Sequence, residues 1–321
     1  MTTTANRLGS LKFLTPETQS SLYRNDLVRM VRDERGNFVE SLGVSTEERA
    51  LVIGDARELA SPERMSLQQN GFELLDAPAV GYDFLDHDCV TSSYYRDCEE
   101  LVAACTGGRV WAFDHNVRSA SGQADKRREK GGQDVQAPAH IVHGDYTLRS
   151  APERLVQLTQ PPSVNDTLRS TSQAQQGLIP QDAATQALSD SGRFSIINVW
   201  RNIQDVPVLT HPLALGDGLK MEPEDLVVFE IHMPDRIGEN YWSKYHEQQK
   251  FYYYPEMTRN EALLIKQWDS GGMLARTAGE QADHRGGGGC TFSFHSAFHP
   301  QQTPKDAPDR WSIEVRCVVI H

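Results

Sequence analysis

The pair His143 and Asp145, in the segment HIVHGDYTLRS (140–150), is the clearest chemical signal in the sequence. Successive side chains of an extended chain alternate between faces, so residues two apart point the same way. An imidazole nitrogen and a carboxylate oxygen would then face one space, as in the two-histidine, one-carboxylate set that holds non-heme Fe(II). An ordinary polar pair at a strand end remains an alternative, since a chain with 11 histidines and 44 acidic residues contains such pairs by chance.

A metal site of this kind needs a second histidine from elsewhere in the chain. His295 in TFSFHSAF ends a run of small and aromatic residues that is typical of a strand, and we expect it to be the third ligand. His299 is a rival, although it lies beside Pro300, where we expect the strand to have ended. His232, on an apolar strand-like run, is a second rival, and a hydrogen-bonded core histidine is the simpler interpretation of it.

The segment RWSIEVRCVVI near the C-terminus offers an anion-binding pair, Arg310 and Ser312. Strand alternation places Glu314 and Arg316 on the same face. A guanidinium grips a carboxylate through two charge-assisted hydrogen bonds, and a hydroxyl adds a third donor. A dicarboxylate such as 2-oxoglutarate could chelate iron at one end and reach this pair with the other, with Arg316 in a supporting role. Pairing of the two arginines with Glu314 or Asp309 is the alternative.

The elements around these residues predict a mainly β protein with flanking helices. SSYYRDCEELVAACTGG (92–108) has helical spacing and ends at two glycines, and RVWAFDHNVRS (109–119) follows as a strand. After residue 190, strand-like runs follow in quick succession, interrupted by one predicted helix, RNEALLIKQWDS (259–270). Closely spaced strands without regular helices between them favour an antiparallel sandwich or barrel, and a jelly roll of the cupin type fits.

Three stretches are predicted to be irregular. Residues 120–138, with KRREKGGQD at the centre, are expected to form a mobile surface loop, above all over 126–132, where charges and glycines offer nothing to bury. The polar stretch 161–190 has room for a helix but no clear core face. The run RGGGG (285–289) is compatible with a lid hinge or with a loose hairpin.

Composition limits the classes of partner. The 321 residues carry a net charge of −12, which argues against nucleic acid and anionic membranes as partners. No apolar stretch approaches the length of a membrane span, and MTTTANRLGSLKFL lacks the apolar core of a signal peptide. The five cysteines form no C-x-x-C pair and are expected to be reduced thiols. We therefore expect a cytoplasmic protein that acts on a small molecule, and the sequence leaves a homodimer open.

Several segments in chain order strengthen the metal hypothesis: VHGDYT, INVWRNI, PLALGDG, FYYYPEMTRNEALLIKQWDS, FHSAF and APDRWSIEVRCVVI. Over about residues 109–321, the sequence resembles a largely fungal hydroxylase/desaturase family of Fe(II)/2-oxoglutarate-dependent oxygenases, which includes relatives of the cephalosporin 7α-methoxylase component and of a gibberellin desaturase. Trp311, between Arg310 and Ser312, departs from the family motif. By strand alternation it should point away from the site and alter packing rather than chemistry.

The resemblance implies one oxygenase domain over residues 1–321, with a double-stranded β-helix core (109–321) and an N-terminal extension (1–108) packed on it. It implies Fe(II) bound by His143, Asp145 and His295, with 2-oxoglutarate held through Arg310 and, with it, Ser312. Together with O2, these would generate an iron-based oxidant that removes hydrogen from an intermediate of specialised metabolism, giving hydroxylation, desaturation or ring closure.

Residues near the metal are expected to include Tyr146, Asn198, Trp200 and Arg201, which would line the substrate pocket. Asn198 and Trp200 share a strand face, whereas Arg201 needs a bulge to join them, and ordinary sheet packing is the alternative for all four. Two other functions stay open at this point. One is an iron oxidase that uses no 2-oxoglutarate, and the other is a jelly-roll binding module without activity.

Overall fold

The computed structural model describes residues 7–33, 38–60, 63–163, 166–171, 175–234 and 236–321. The strands in these ranges are β1 (Arg7–Leu14), β2 (Arg29–Arg32), β3 (Phe38–Leu42), β4 (Thr46–Asp55), β5 (Phe72–Asp76), β6 (Arg109–Arg118), β7 (His143–Gly144), β8 (Phe194–Asn202), β9 (Leu213–Gly216), β10 (Leu226–His232), β11 (Ile237–Ser243), β12 (Phe251–Tyr253), β13 (Glu261–Asp269), β14 (His295–Ala297), β15 (His299–Pro300) and β16 (Ser312–Ile320). The α-helices are α1 (His87–Cys89), α2 (Tyr95–Thr106), α3 (Ala120–Ala124), α4 (Ser150–Gln157), α5 (Gln181–Ala187) and α6 (Met273–Arg276). The predicted mainly β class with flanking helices is confirmed.

The smaller sheet has the strand order β5-β13-β8-β16-β6, and every neighbouring pair is antiparallel. On its central strand β8, Ile197 and Val199 point to one face and join an apolar core. Asn198 points to the other face and lies opposite Arg316 of β16. Because side chains alternate along each strand, one face of this sheet is apolar and the other carries buried polar groups.

Helix α2, which the sequence predicts within 92–108, covers the apolar face. Tyr95, Cys98 and Val102 form its buried stripe at helical spacing, and they pack in the same core as Val199. The helix ends at Gly107, whose φ of 70° is left-handed and costs a glycine little.

The larger sheet has the order β15-β1-β4-β12-β9-β14-β7-β11-β10-β2-β3. The short strands β9, β14 and β7 are neighbours near its middle, and His143 of β7 pairs with His295 of β14. Strands β2 and β3 from the first 108 residues form one end of this sheet, β1 and β4 lie next to β15 at the other end, and β5 forms one edge of the smaller sheet. The N-terminal third therefore contributes strands to both sheets.

The predicted helix over 259–270 is wrong, because this segment forms β13 between β5 and β8. Its residues are buried on both faces from Ala262 to Asp269. A strand that is covered on both faces needs apolar residues at odd and even positions, so the alternation that distinguishes strand from helix disappears.

The expectation that the charges of residues 126–132 have nothing to bury is wrong at Glu129, whereas the mobility of this segment stays a prediction. Glu129 is 2% exposed and its carboxylate lies 3.0 Å from His115 Nε2, a ring that is also fully buried. Lys130 donates its backbone N–H to Leu85 O at 2.7 Å, and its ammonium lies 2.6 Å from Asp86. The buried His115 imidazole is the partner of the Glu129 carboxylate inside the protein. Composition alone does not reveal such a buried pair.

The remaining expectations for loops and cysteines have mixed outcomes. The polar stretch 161–190 contains α5, while 164–165 and 172–174 lie outside the described residues. The glycine run is no hairpin, since Asp283–Gly286 forms a 3-10 turn and Gly289 packs so tightly on Gln68 O that a Cβ would lie 2.1 Å from that oxygen.

All five cysteines are free. Among the described residues, no helix is both long and apolar enough to cross a membrane.

Candidate active site

Two histidines and one aspartate converge where β7 meets β14. The rings of His143 and His295 lie opposite each other, with centroids 4.3 Å apart, and both side chains are nearly buried. Their Nε2 atoms lie 3.8 and 3.9 Å from the same Asp145 oxygen, Oδ1. These separations are too long for hydrogen bonds, so the three atoms border a common space rather than bond to one another.

The protonation states in this group suit a metal ion. Burial, and then the nearby His295, lower the pKa of His143 to about 4, and burial also lowers the pKa of His295. Burial alone would raise the pKa of Asp145, but Arg316 and the two histidines outweigh it and hold that pKa below its usual range. At neutral pH the site therefore presents two neutral imidazoles and one carboxylate, the forms in which these side chains bind metals.

The neighbours of the three residues fix their orientation. His143 Nδ1 donates to Ile141 O at 2.8 Å, which leaves Nε2 with its lone pair toward Asp145. The second oxygen of Asp145, Oδ2, accepts hydrogen bonds from Asn198 Nδ2 at 3.0 Å and from Arg316 Nε at 3.2 Å. With Oδ2 occupied in this way, Oδ1 is left to face the histidines.

Arg316 is fully engaged at this position. Besides Asp145, its Nη1 lies 2.7 Å from Asp114 Oδ2 and its Nη2 lies 3.1 Å from Glu314 Oε1. Each of its three nitrogens therefore already has a carboxylate partner. The expectation that Arg316 helps to bind a co-substrate is not supported by this geometry, which assigns its guanidinium to Asp145.

Arg310 and Ser312 are buried but have unused hydrogen-bonding capacity. Arg310 is 2% and Ser312 1% exposed, and neither Arg310 Nε nor Ser312 Oγ has a partner among the described residues. Arg310 donates from Nη1 to His211 O, and its guanidinium lies 5.5 Å from the Trp200 ring centroid. Burial, and then the Arg118 cation, lower the pKa of Arg310 to about 9. A buried cation with open donors provides a place for an anion.

The four predicted substrate residues have different positions. Tyr146 lines a cavity of about 400 Å³ that also reaches Asp114, Asp145 and Arg316. Asn198 touches Asp145, and Trp200 lies beneath Arg310.

Arg201 points to the opposite face, where it donates to Tyr94 Oη at 3.0 Å, because β8 has no bulge there to reverse the alternation. The expectation that Arg201 lines the site is wrong.

Gln267 is a site residue that the sequence argument missed. A bulge in β13 between Lys266 and Trp268 turns its side chain toward the site, where Oε1 accepts the backbone N–H of Asp145 at 3.1 Å. Its amide nitrogen lies 3.4 Å from His295 Nδ1. Polar residues such as Lys266 and Gln267 directly after the apolar run 262–265 are the signal that could have identified it.

The rival histidines lie elsewhere. His232 bonds to Glu230 at 2.8 Å, and His299 belongs to a separate group with His140 and His211. A cavity of about 660 Å³ is lined by residues such as Asp55, Arg57 and Glu261 and reaches none of the three converging side chains. We therefore place the candidate active site beside the 400 Å³ cavity, which reaches Asp145.

Comparisons with known proteins agree on one family. A family model described as "Oxidoreductase/YMDC permease-like domain" matches residues 11–175 and 164–320. An uncharacterised protein from the dcmA 3' region of Methylophilus leisingeri is 38% identical over 196 residues, which span 60% of this chain and 89% of that one.

Two fungal relatives carry names that state a chemistry. The alpha-ketoglutarate-dependent dioxygenase tstK of Talaromyces stipitatus is 29% identical over 85% of each chain. The Fe(II)/2-oxoglutarate-dependent dioxygenase nvfI of Aspergillus novofumigatus is 30% identical over 73% of this chain and 68% of its own. A solved structure of the iron and alpha-ketoglutarate-dependent endoperoxidase NvfI matches 97% of each chain, with a TM-score of 0.69 at 23% identity, and so shares the fold. The chain therefore belongs to this oxidoreductase family and to the Fe(II)/2-oxoglutarate-dependent dioxygenases.

Proposed function

We propose that His143, Asp145 and His295 bind Fe(II), and that Arg310 with Ser312 binds the far carboxylate of 2-oxoglutarate. The enzyme is an Fe(II)/2-oxoglutarate-dependent dioxygenase, as its relatives are named. The observation that carries the assignment of the metal is the common space bordered by two neutral imidazoles and the Asp145 carboxylate. The open donors of Arg310 and Ser312 support the assignment of the co-substrate end.

When bound, Fe(II) supplies activation of O2, coupled to oxidation of 2-oxoglutarate to succinate and CO2, so that hydrogen can be removed from a substrate carbon. Arg316 and Asn198 hold Asp145 in one rotamer, and Ile141 O fixes the tautomer of His143. Arg310 neutralises and orients the co-substrate from the buried end of the site. The residues of the chain thus provide placement and a dry surrounding rather than proton transfer.

The 400 Å³ cavity beside Asp145 fits a small-molecule substrate. Tyr146 and Arg154 lie on one side of it, and Ile231, Met233 and Ile237 give another side an apolar surface. Charged and amide side chains such as Glu153, Asp166 and Asn240 line the rest of the cavity, so we infer a small substrate that carries both polar and apolar groups. Hydroxylation, desaturation and ring closure are all compatible with this cavity.

The architecture fits a double-stranded β-helix that forms one oxygenase domain. Side chains of the smaller sheet, Asn198 and Arg316, contact Asp145 beside β7 of the larger sheet, so the site lies between the two sheets. The names of the relatives favour the dioxygenase over an iron oxidase that uses no 2-oxoglutarate and over a binding module. A homodimer, a cytoplasmic location and the lack of nucleic-acid binding stay predictions.

The test replaces His143, Asp145 and His295 singly by alanine and measures Fe(II) binding to the anaerobic apoprotein and succinate formation. Each variant should lose iron binding and turnover while its circular dichroism spectrum stays unchanged. His232→Ala is the matched control, because this histidine bonds to Glu230 away from the site. Activity retained in His295→Ala but lost in His232→Ala or His299→Ala would show that the third ligand is wrong.

A further inference from the structure

A second group of histidines lies at one end of the strands that carry the first. His140 precedes β7, His211 precedes β9, and His299 follows β14. In the larger sheet β14 lies between β9 and β7 and runs antiparallel to both. The starts of β7 and β9 and the end of β14 therefore meet at one edge, which brings together three residues that are far apart in sequence.

The three rings are in close contact. His140 Nε2 lies 3.1 Å from His211 Nδ1, and the His140 ring stacks on His299 with centroids 4.3 Å apart and planes 6° from parallel. One nitrogen from each ring lies within 4.8 Å of the other two. The hydrogen bond joins His140 to His211 and the stacking joins His140 to His299, and together they bring one nitrogen of each ring into the same small region.

The backbone conformation of His211 indicates that the surrounding structure holds this residue in place. Its φ of 46° is left-handed, which costs a residue with a Cβ free energy, and Pro212 follows it. Such conformations persist where the surrounding structure over-determines them, often at ligand sites. The backbone oxygen of His211 also accepts a hydrogen bond from the Arg310 guanidinium.

We propose that His140, His211 and His299 form a second metal site, separate from the iron site and selective for a divalent transition ion such as Zn²⁺. Three imidazoles without a carboxylate suit zinc, nickel or copper better than magnesium or calcium, which prefer oxygen ligands. His140 and His211 are half-buried and His299 is exposed, so the ion is open to solvent on one side and keeps a water as its fourth ligand.

Occupation of this site would tie three segments together at the end of the sheet. Because Zn²⁺ would bind the folded chain and not the separated segments, it should raise the melting temperature. The ion would also fix His211, whose carbonyl oxygen accepts the hydrogen bond from Arg310. The proposed site is thus placed to hold the co-substrate anchor in position.

The experiment counts the ions bound by the metal-free full-length protein in a Zn²⁺ titration against a chromogenic chelator. His143→Ala removes one ion by disabling the iron site, and His299→Ala should remove a different one, so that the double variant binds two fewer than wild type. His284→Ala, a histidine outside both groups whose partner is Glu222, is the control and should bind as many ions as wild type.

Equal ion counts in His299→Ala and wild type would overturn the proposal. So would a double variant that binds as many ions as His143→Ala. If His299→Ala misfolds by circular dichroism, His140→Gln provides the same comparison.

X-ray absorption of zinc-loaded His143→Ala gives an independent readout, and a shell of about three nitrogens at roughly 2.0 Å is expected. An oxygen-dominated shell would assign the ion to surface carboxylates instead. The two proposals are tested separately. Loss of turnover in His143→Ala tests the iron site, whereas the ion count of His299→Ala tests the second metal site.

Discussion

Truncation of Arg310 to alanine tests the proposed anchor for 2-oxoglutarate most directly. The guanidinium is 2% exposed, its Nε has no described partner, and Ser312 Oγ beside it is also unpaired. The free enzyme therefore holds a buried cation with one guanidinium donor, Nε, unfilled. Binding of the far carboxylate would fill it and supply the missing negative charge.

The expected effect follows from the cost of leaving that carboxylate without its partner. Removal of one member of a buried, hydrogen-bonded charge pair costs about 2–5 kcal/mol of binding free energy. Because each 1.4 kcal/mol is a factor of ten, the affinity for 2-oxoglutarate should fall by roughly 30-fold or more. Ser312→Ala removes one neutral donor worth about 1 kcal/mol, so its loss should be only about fivefold.

The assay is an anaerobic titration of 2-oxoglutarate into the iron-loaded protein, followed by the metal-to-ligand charge-transfer band. Iron affinity should hardly change in Arg310→Ala, because Arg310 has no contact with the three ligands. Arg316→Ala is the matched arginine control. Its three nitrogens are already paired with Asp145, Asp114 and Glu314, so it should affect iron binding more than co-substrate binding.

The opposite pattern would refute this reasoning. If Arg316→Ala lost 2-oxoglutarate while Arg310→Ala bound it normally, the anchor would lie at Arg316. The carboxylates around Arg316 would then have to release it when the co-substrate enters. A Ser312→Ala loss as large as that of Arg310→Ala would instead place the hydroxyl, and not the guanidinium, at the centre of the contact.

Two further changes test the structure around the site. Gln267→Met keeps the volume of the side chain but leaves the Asp145 N–H without its acceptor, so iron affinity should fall about tenfold, with unchanged affinity refuting a positioning role. Glu129→Ala removes the buried partner of His115 and should lower the free energy of unfolding by about 1–3 kcal/mol in urea denaturation, whereas the mobile loop expected from composition would give no loss.

The part of the site that could be predicted from sequence rests on short-range geometry. His143 and Asp145 face one space because they lie two residues apart. An aromatic run indicated His295, although this residue begins strand β14 and does not end a strand as predicted. The same alternation separates Asn198 from Arg201. These inferences need only the period of an extended chain. Neither the contact of Gln267 nor that of Arg316 with Asp145 follows from it, because both depend on which strands become neighbours.

Burial on both faces explains why β13 was predicted as a helix. Leu263, Leu264 and Ile265 are all buried, since the strand has neighbours on both sides and packing on both faces. A bulge then shifts its alternation at Lys266 and brings Gln267 to Asp145. Register and bulges are set by tertiary packing, which a local sequence pattern does not contain.

The position of Trp311, directly before β16, fits the expectation that this residue affects packing rather than chemistry. The Trp311 ring points away from Ser312, packs against the glycine at 122 and lies 5.9 Å from the Arg127 guanidinium. On the other face, the polar groups divide by charge. Around Arg316 the carboxylates outnumber the cations, as a site for a divalent metal requires, whereas Arg310 has another cation, Arg118, as its strongest charged neighbour. If 2-oxoglutarate binds as proposed, its keto-acid end would lie near the carboxylate-rich region around Asp145 and its far carboxylate near Arg310. The charge distribution of this sheet face would then favour one direction of binding.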